Sequence, residues 1–156
     1  MRTILTTALL ALALTTAAAF GADNTLGTWK LNVAKSKYTP SPMPVKSLTV
    51  TRDASDGGSK QTTTGERTDG TAINATYTAK YDGTEVQVTG NAPYDMIAVK
   101  QVNANTLTDT RRKTDGKYRG TSRLVVSNGG KTMTTTTKGT NADGKEFTQS
   151  FVFDKQ

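Results

Sequence analysis

The chain has 156 residues, a formal charge of +7, and neither cysteine nor histidine. Those two absences remove disulfide and thiolate chemistry, the commonest general base, the commonest metal ligand and the usual pH switch. The basic excess is spread along the sequence and not gathered in a run, which is the pattern of a solvated surface, so no nucleic-acid partner is expected.

Residues 1–19 read as an export signal. Met1-Arg2 is a short positive start, Ile4 to Leu14 an apolar stretch, and Ala17 and Ala19 supply small residues for cleavage after Ala19, with Ala22 as a later alternative. The apolar stretch is too short to span a bilayer, and no later one approaches the length required. The expected destination is the periplasm or the extracellular medium. The mature chain of roughly 135 residues is enough for one domain, residues 23–156, and losing Arg2 leaves +6.

Leu26 to Val33 is the first predicted strand, with Trp29, Leu31 and Val33 on one face. Ala34 to Pro44 carries Pro40, Pro42 and Pro44 and reads as an irregular covering strap that brings Tyr38 and Met43. Val45 to Asp53 turns Leu48 and Val50 inward. Lys60 to Thr68 is polar throughout and reads as an exposed strand. Thr71 to Tyr81 alternates cleanly, with Ile73, Ala75, Tyr77, Ala79 and Tyr81 on one face. Thr84 to Thr89 places Val86 and Val88 inward, and a looser turn leads into Tyr94 to Val102, whose facing the pattern leaves open. In Thr106 to Thr114, Leu107 shares a face with Asp109 and Arg111. Tyr118 to Val126, Lys131 to Lys138 and Lys145 to Asp154 complete the set, and Phe147, Gln149, Phe151 and Phe153 line one side of the last.

Asp-Gly pairs punctuate this order at 69–70, 82–83, 115–116 and 143–144, with Asn128-Gly129-Gly130 between the last two. Such pairs suit the type I′ hairpin turn, which needs positive φ at both central residues. Most are roughly 13 to 15 residues apart, room for one strand and a turn but no crossover helix. The fold class is all-β: an up-and-down antiparallel meander of about ten strands that closes into a barrel, because closure removes the edges. Threonine makes up about a fifth of the chain. It suits a pleated surface but adds little to an apolar core, which points to a barrel around a partly polar cavity.

Gly27-Thr28-Trp29-Lys30-Leu31 on the first strand resembles the start of lipocalins and fatty-acid-binding proteins, the calycin group. Asp115-Gly116-Lys117 through Lys138-Gly139 is similar to a turn–strand–turn–strand stretch of the fatty-acid-binding proteins. The resemblance implies a lipocalin-like barrel whose Trp29 packs across the closed end. It also implies an interior arginine at Arg123, whereas the alternation of Leu124 and Val126 turns Arg123 outward. The Arg-x-Tyr that many of these proteins carry on the last strand is here Phe151 and Phe153, and the strap is too short for their helical lid. The opening Gly27 to Asn32, with Lys35 to Tyr38, also resembles an uncharacterised family of small secreted bacterial proteins.

No catalytic constellation stands out. A nucleophilic hydroxyl needs a base within reach, and most aspartates sit in turns that already explain them. No metal-binding loop is present, and no cofactor is expected. The reading is therefore an exported, non-catalytic, monomeric barrel that binds a small amphipathic or hydrophobic ligand. The apolar tail would lie among Trp29, Leu48, Val50, Ile73, Val86, Val88 and Phe151, and Arg111 or Arg123 would offset a negative end. Tyr77, Tyr81 and Phe153 are further candidate ligand contacts. The alternatives are an envelope interaction module with a filled barrel and, third, a hydrolase.

Overall fold

The computed structural model describes residues 22–156, so the expected export signal lies outside the described residues. Twelve strands succeed one another: β1 (Gly27–Leu31), β2 (Lys37–Thr39), β3 (Val45–Ser55), β4 (Gly58–Arg67), β5 (Ala72–Lys80), β6 (Asp82–Gln87), β7 (Thr89–Gly90), β8 (Met96–Asn103), β9 (Thr106–Arg112), β10 (Arg119–Ser127), β11 (Thr132–Thr140) and β12 (Glu146–Lys155). A single 3-10 turn, Val33–Lys35, is the one helical element among the described residues. All pairings are antiparallel, in the order β6-β8-β9-β10-β11-β12-β1-β3-β4-β5-β7, so the sheet wraps round on itself into a nearly closed barrel.

One expected strand is shortened and another is interrupted. The first ends at Leu31, Val33 enters the 3-10 turn, and β2 forms inside the expected strap, so β1 and β2 lie end to end along β12 (Leu31 opposite Phe153, Tyr38 opposite Gln149). Within the strap, Ala34 and Lys35 thus belong to the 3-10 turn and Lys37–Thr39 is strand, and the proline-rich residues 40–44 are irregular. The segment from Asp82 to Gly90 pairs with β8 through β6 and with β5 through β7, which draws the two ends of the sheet together. At that corner Tyr81 donates its N–H to Gly57 and accepts from Gln101 N–H.

The turns are not uniform. Asn128 (φ 54°) and Gly129 (φ 61°) both adopt the left-handed conformation that the I′ turn demands. At Asp69-Gly70, Asp82-Gly83 and Asp143-Gly144 the glycine alone does so, and Gly116 does not. In the first two of these pairs the aspartate instead accepts the N–H two residues on, from Thr71 and Thr84, an Asx turn that fixes the chain without left-handed aspartate.

Register then aligns inward residues into layers. Leu107, Leu124, Thr135 and Phe151 stand in one row across four strands, and Asp109, Ser122, Thr137 and Gln149 in the next. The core gathers Trp29, Leu31, Ile97, Val99, Met133 and Phe153. Threonine mostly takes the outside: Thr28, Thr51, Thr62, Thr76 and Thr89 stand side by side across five strands. β4, expected to be exposed, is an interior member of the barrel, with Ser59 fully buried. Its polar composition hid this, because the inner wall here takes hydroxyl and amide groups. Among the described residues no helix is long and apolar enough to cross a membrane.

Candidate functional site

A cavity of about 530 Å³ lies inside the barrel. Its lower walls are apolar, formed by Leu48, Val50, Ile73, Val99, Leu107 and Phe151. These are the inward positions of their strands, set there by the two-residue period. At the mouth stand Tyr38, Pro44, Tyr94, Tyr118 and Phe147, together with the Asn141–Asp143 turn.

The opposite end is shut. Trp29 is fully buried, its indole N–H donates to the Thr25 carbonyl at 2.9 Å, and the Lys155 ammonium sits 5.0 Å from its ring centre. Residues 23–25 close over it: Asn24 N–H bonds the Ala104 carbonyl, and Asp23 accepts from the backbone and hydroxyl of Thr25. Trp29 is therefore part of the base of the barrel and does not line the cavity.

Arg52 lies between that base and the cavity. Its guanidinium is buried; Nη2 donates to the Ser59 hydroxyl at 3.0 Å and to the Tyr81 hydroxyl at 3.1 Å, and Nη1 donates to Gln61 Oε1. Tyr81 in turn donates to Asp23 at 2.6 Å, so the carboxylate is linked to the cation through one phenol. Tyr77 donates to the same Gln61 oxygen at 3.0 Å. The Nε of Arg52 is buried and has no partner among the described residues. Burial pushes the Tyr77 phenol up to about 12, partly opposed by the nearby Arg52 charge.

The other interior cation is Arg111. It grips Asp109 on its own strand with two hydrogen bonds, Nε to Oδ1 at 2.7 Å and Nη2 to Oδ2 at 3.0 Å. Both side chains are largely buried, at 15% and 10% exposure. The Tyr94 ring lies 5.1 Å from the guanidinium carbon. The charge of Arg111 is thus already offset by a carboxylate in the same wall. Burial pushes the Tyr118 phenol up to about 12, with Arg111 acting in the opposite direction.

Of the residues singled out in the sequence, Tyr77, Arg111, Phe151 and Phe153 line the cavity. Tyr81 faces inward but belongs to the base, where it bridges Arg52 and Asp23. Arg123 points outward: Gly120, Ser122, Leu124 and Val126 are the buried positions of β10, and Arg123 alternates with them. Simple alternation thus places this residue, and no bulge interrupts the β9–β10–β11 ladder around it. Val88 is buried in the core and Val86 packs against it. Sequence reasoning missed Arg52, although it shares parity with Leu48 and Val50; extending the alternation by two residues would have found it. It missed Gln61 and Thr63 because polar β4 carries no apolar alternation to reveal its face.

No protein-family model matches the chain, and no curated protein matches it. Among solved structures, the fold is similar to that of a protein of unknown function from the DUF3598 family of Nostoc punctiforme, with a TM-score of 0.54 and 14% identity. The match covers 85% of this chain and 47% of that one, so this chain spans about half the length of that protein. The likeness is one of barrel fold.

Proposed function

We propose that this chain is an exported, lipocalin-like barrel that encloses a small amphipathic molecule and carries out no catalysis on it. The observation that carries the reading is the cavity of about 530 Å³, within the usual range of small-molecule sites, with apolar walls and a few convergent polar groups. A barrel built only as a scaffold would fill that space with side chains, since interiors pack to the density of organic crystals. The apolar part of the ligand lies against Leu48, Val50, Ile73 and Phe151. Arg52 and Gln61 make the inner end polar, with the guanidinium held by Ser59, Tyr81 and Gln61. Arg111 has a smaller part than the sequence suggested, because Asp109 already offsets its charge.

Export rests on the leader-like residues 1–19, and the calycin affinity on Gly27-Thr28-Trp29 together with the barrel order of the strands. The test is native mass spectrometry of the protein recovered from its own source without detergent, paired with titration of the apolar fluorophore phenylnaphthylamine. A copurifying small molecule, or saturable dye binding with one site per chain, is the expected outcome. Absence of both would sink the reading.

A further inference from the structure

The mouth of the cavity holds an arrangement that apolar enclosure does not require. Four aromatic rings run round it in contact. Tyr38 stacks on Phe147 with centroids 5.9 Å apart, Phe147 meets Tyr118 at 5.8 Å, and Tyr118 meets Tyr94 at 5.6 Å. The run ends on Arg111, held face-on by Tyr94 and edge-on by Asp109. The strands leave room for this cluster. In the register row from Arg111 to Phe147 the two intervening residues are Gly120 and Gly139, and the Tyr118 ring takes the space over Gly120. The Tyr118 hydroxyl lies 3.3 Å from where a Cβ on Gly120 would be.

The hydrogen-bonding capacity of this cluster is not used up. The hydroxyls of Tyr94 and Tyr118 make no hydrogen bond to any described residue, and neither does Nη1 of Arg111. Asp109 takes one bond on each oxygen from Arg111 and keeps spare lone pairs. The Arg111–Asp109 pair is neutral in sum. A ligand carboxylate placed here would face Asp109, and a ligand ammonium would face Arg111, each adding an uncompensated charge in a partly dry site. A neutral group that both donates and accepts meets no such cost. Aromatic faces alongside add a surface against which a ring packs with its C–H edge or face.

From this geometry we infer that the Tyr94–Tyr118–Asp109–Arg111 cluster is a subsite for a neutral, polyhydroxylated ring, so that the enclosed molecule is a glycoside-type amphiphile, a sugar-like head on an apolar tail. A sugar ring combines hydroxyls round its rim with C–H groups on its faces, which matches donors, acceptors and aromatic planes in one place. The head sits at the mouth, where its remaining hydroxyls reach water, and the tail descends between Leu48 and Phe151. The inference rests on the reading of the cavity as an amphiphile site.

The test uses octyl glucoside below its micellar concentration as the probe, displacing phenylnaphthylamine, with octanoate as a carboxylate of matched tail. The variant is the double replacement Y94F/Y118F, which keeps all four rings and removes only the two hydroxyls. The wild type is expected to bind octyl glucoside more tightly than octanoate. The double variant should bind the glucoside about tenfold more weakly, the loss of one or two hydrogen bonds, with the far-UV circular dichroism of the barrel retained. Equal glucoside affinity in wild type and variant overturns the subsite. So does octanoate binding more tightly than the glucoside and losing affinity in the variant, which would make the cluster an anion site. In both cases retained dye binding leaves the enclosed-amphiphile reading standing. Failure of the wild type to bind dye, glucoside or octanoate overturns both.

Discussion

Arg52 and Tyr81, which are 29 residues apart in sequence, meet at the closed end of the barrel with Nη2 3.1 Å from the phenolic oxygen. The phenol passes its own proton toward Asp23 at 2.6 Å. One hydroxyl therefore connects β3, the β5–β6 corner and the segment before β1. A buried cation needs compensation, and here the Asp23 carboxylate supplies it through this intermediary.

Replacing Tyr81 by phenylalanine deletes the bridge and leaves Asp23 and one Arg52 donor without it. The expected loss is about 1–3 kcal/mol in urea unfolding, the usual cost of stranding buried polar groups. Affinity for phenylnaphthylamine should hold, because Tyr81 is not in the cavity wall. An unchanged unfolding midpoint would mean the bridge contributes nothing.

Filling the cavity tests it directly. Ala75 faces inward from β5, where it lines the cavity at 9% exposure. Ala75→Trp should project an indole into the space and weaken dye binding at least tenfold, with the far-UV circular dichroism of the barrel retained. Undiminished binding in a folded variant would place the dye elsewhere.

The two arginines on neighbouring strands should behave oppositely. Arg111→Met strands Asp109 as a buried, unpaired carboxylate and is expected to destabilise by about 3 kcal/mol or more. Arg123→Ala changes an exposed outer-face position, with an expected effect within about 0.5 kcal/mol and no change in dye affinity. Thermal unfolding of the two variants side by side decides the matter, and comparable losses would contradict the facing of Arg123.

Alkaline pH should unfold the chain in a defined window. Burial raises the phenols of Tyr77 and Tyr118 from 10.0 to about 12. Between these values the unfolded chain releases protons that the folded chain retains, so stability is undiminished below pH 10 and falls as pH rises toward 12. The slope contributed is up to about 1.4 kcal/mol per pH unit for each phenol. Stability measured by urea unfolding across this range should show that decline, and it should be shallower in Y118F. A flat profile would show that these phenols ionise in the folded state as freely as in the unfolded one.

The sequence by itself determined what is local. Turn residues marked the hairpins, and the period of two assigned the inner faces of β5 and β12, because side-chain direction in a strand is set by backbone geometry alone. The same rule turned Arg123 outward and put Asp109 and Arg111 on one face, two residues apart. Even there the turn chemistry was only partly legible: the Asp-Gly pairs mark turns, yet only Asn128-Gly129 takes the doubly left-handed form. The tertiary structure decided what depends on how strands slide past one another. Register brought Arg52 to Ser59, Gln61 and Tyr81, made an inner wall of polar β4, and set Gly120 and Gly139 between Arg111 and Phe147, where the Tyr118 ring fits over Gly120. Alternation says that a side chain points inward, but only the stagger between strands says what it meets there.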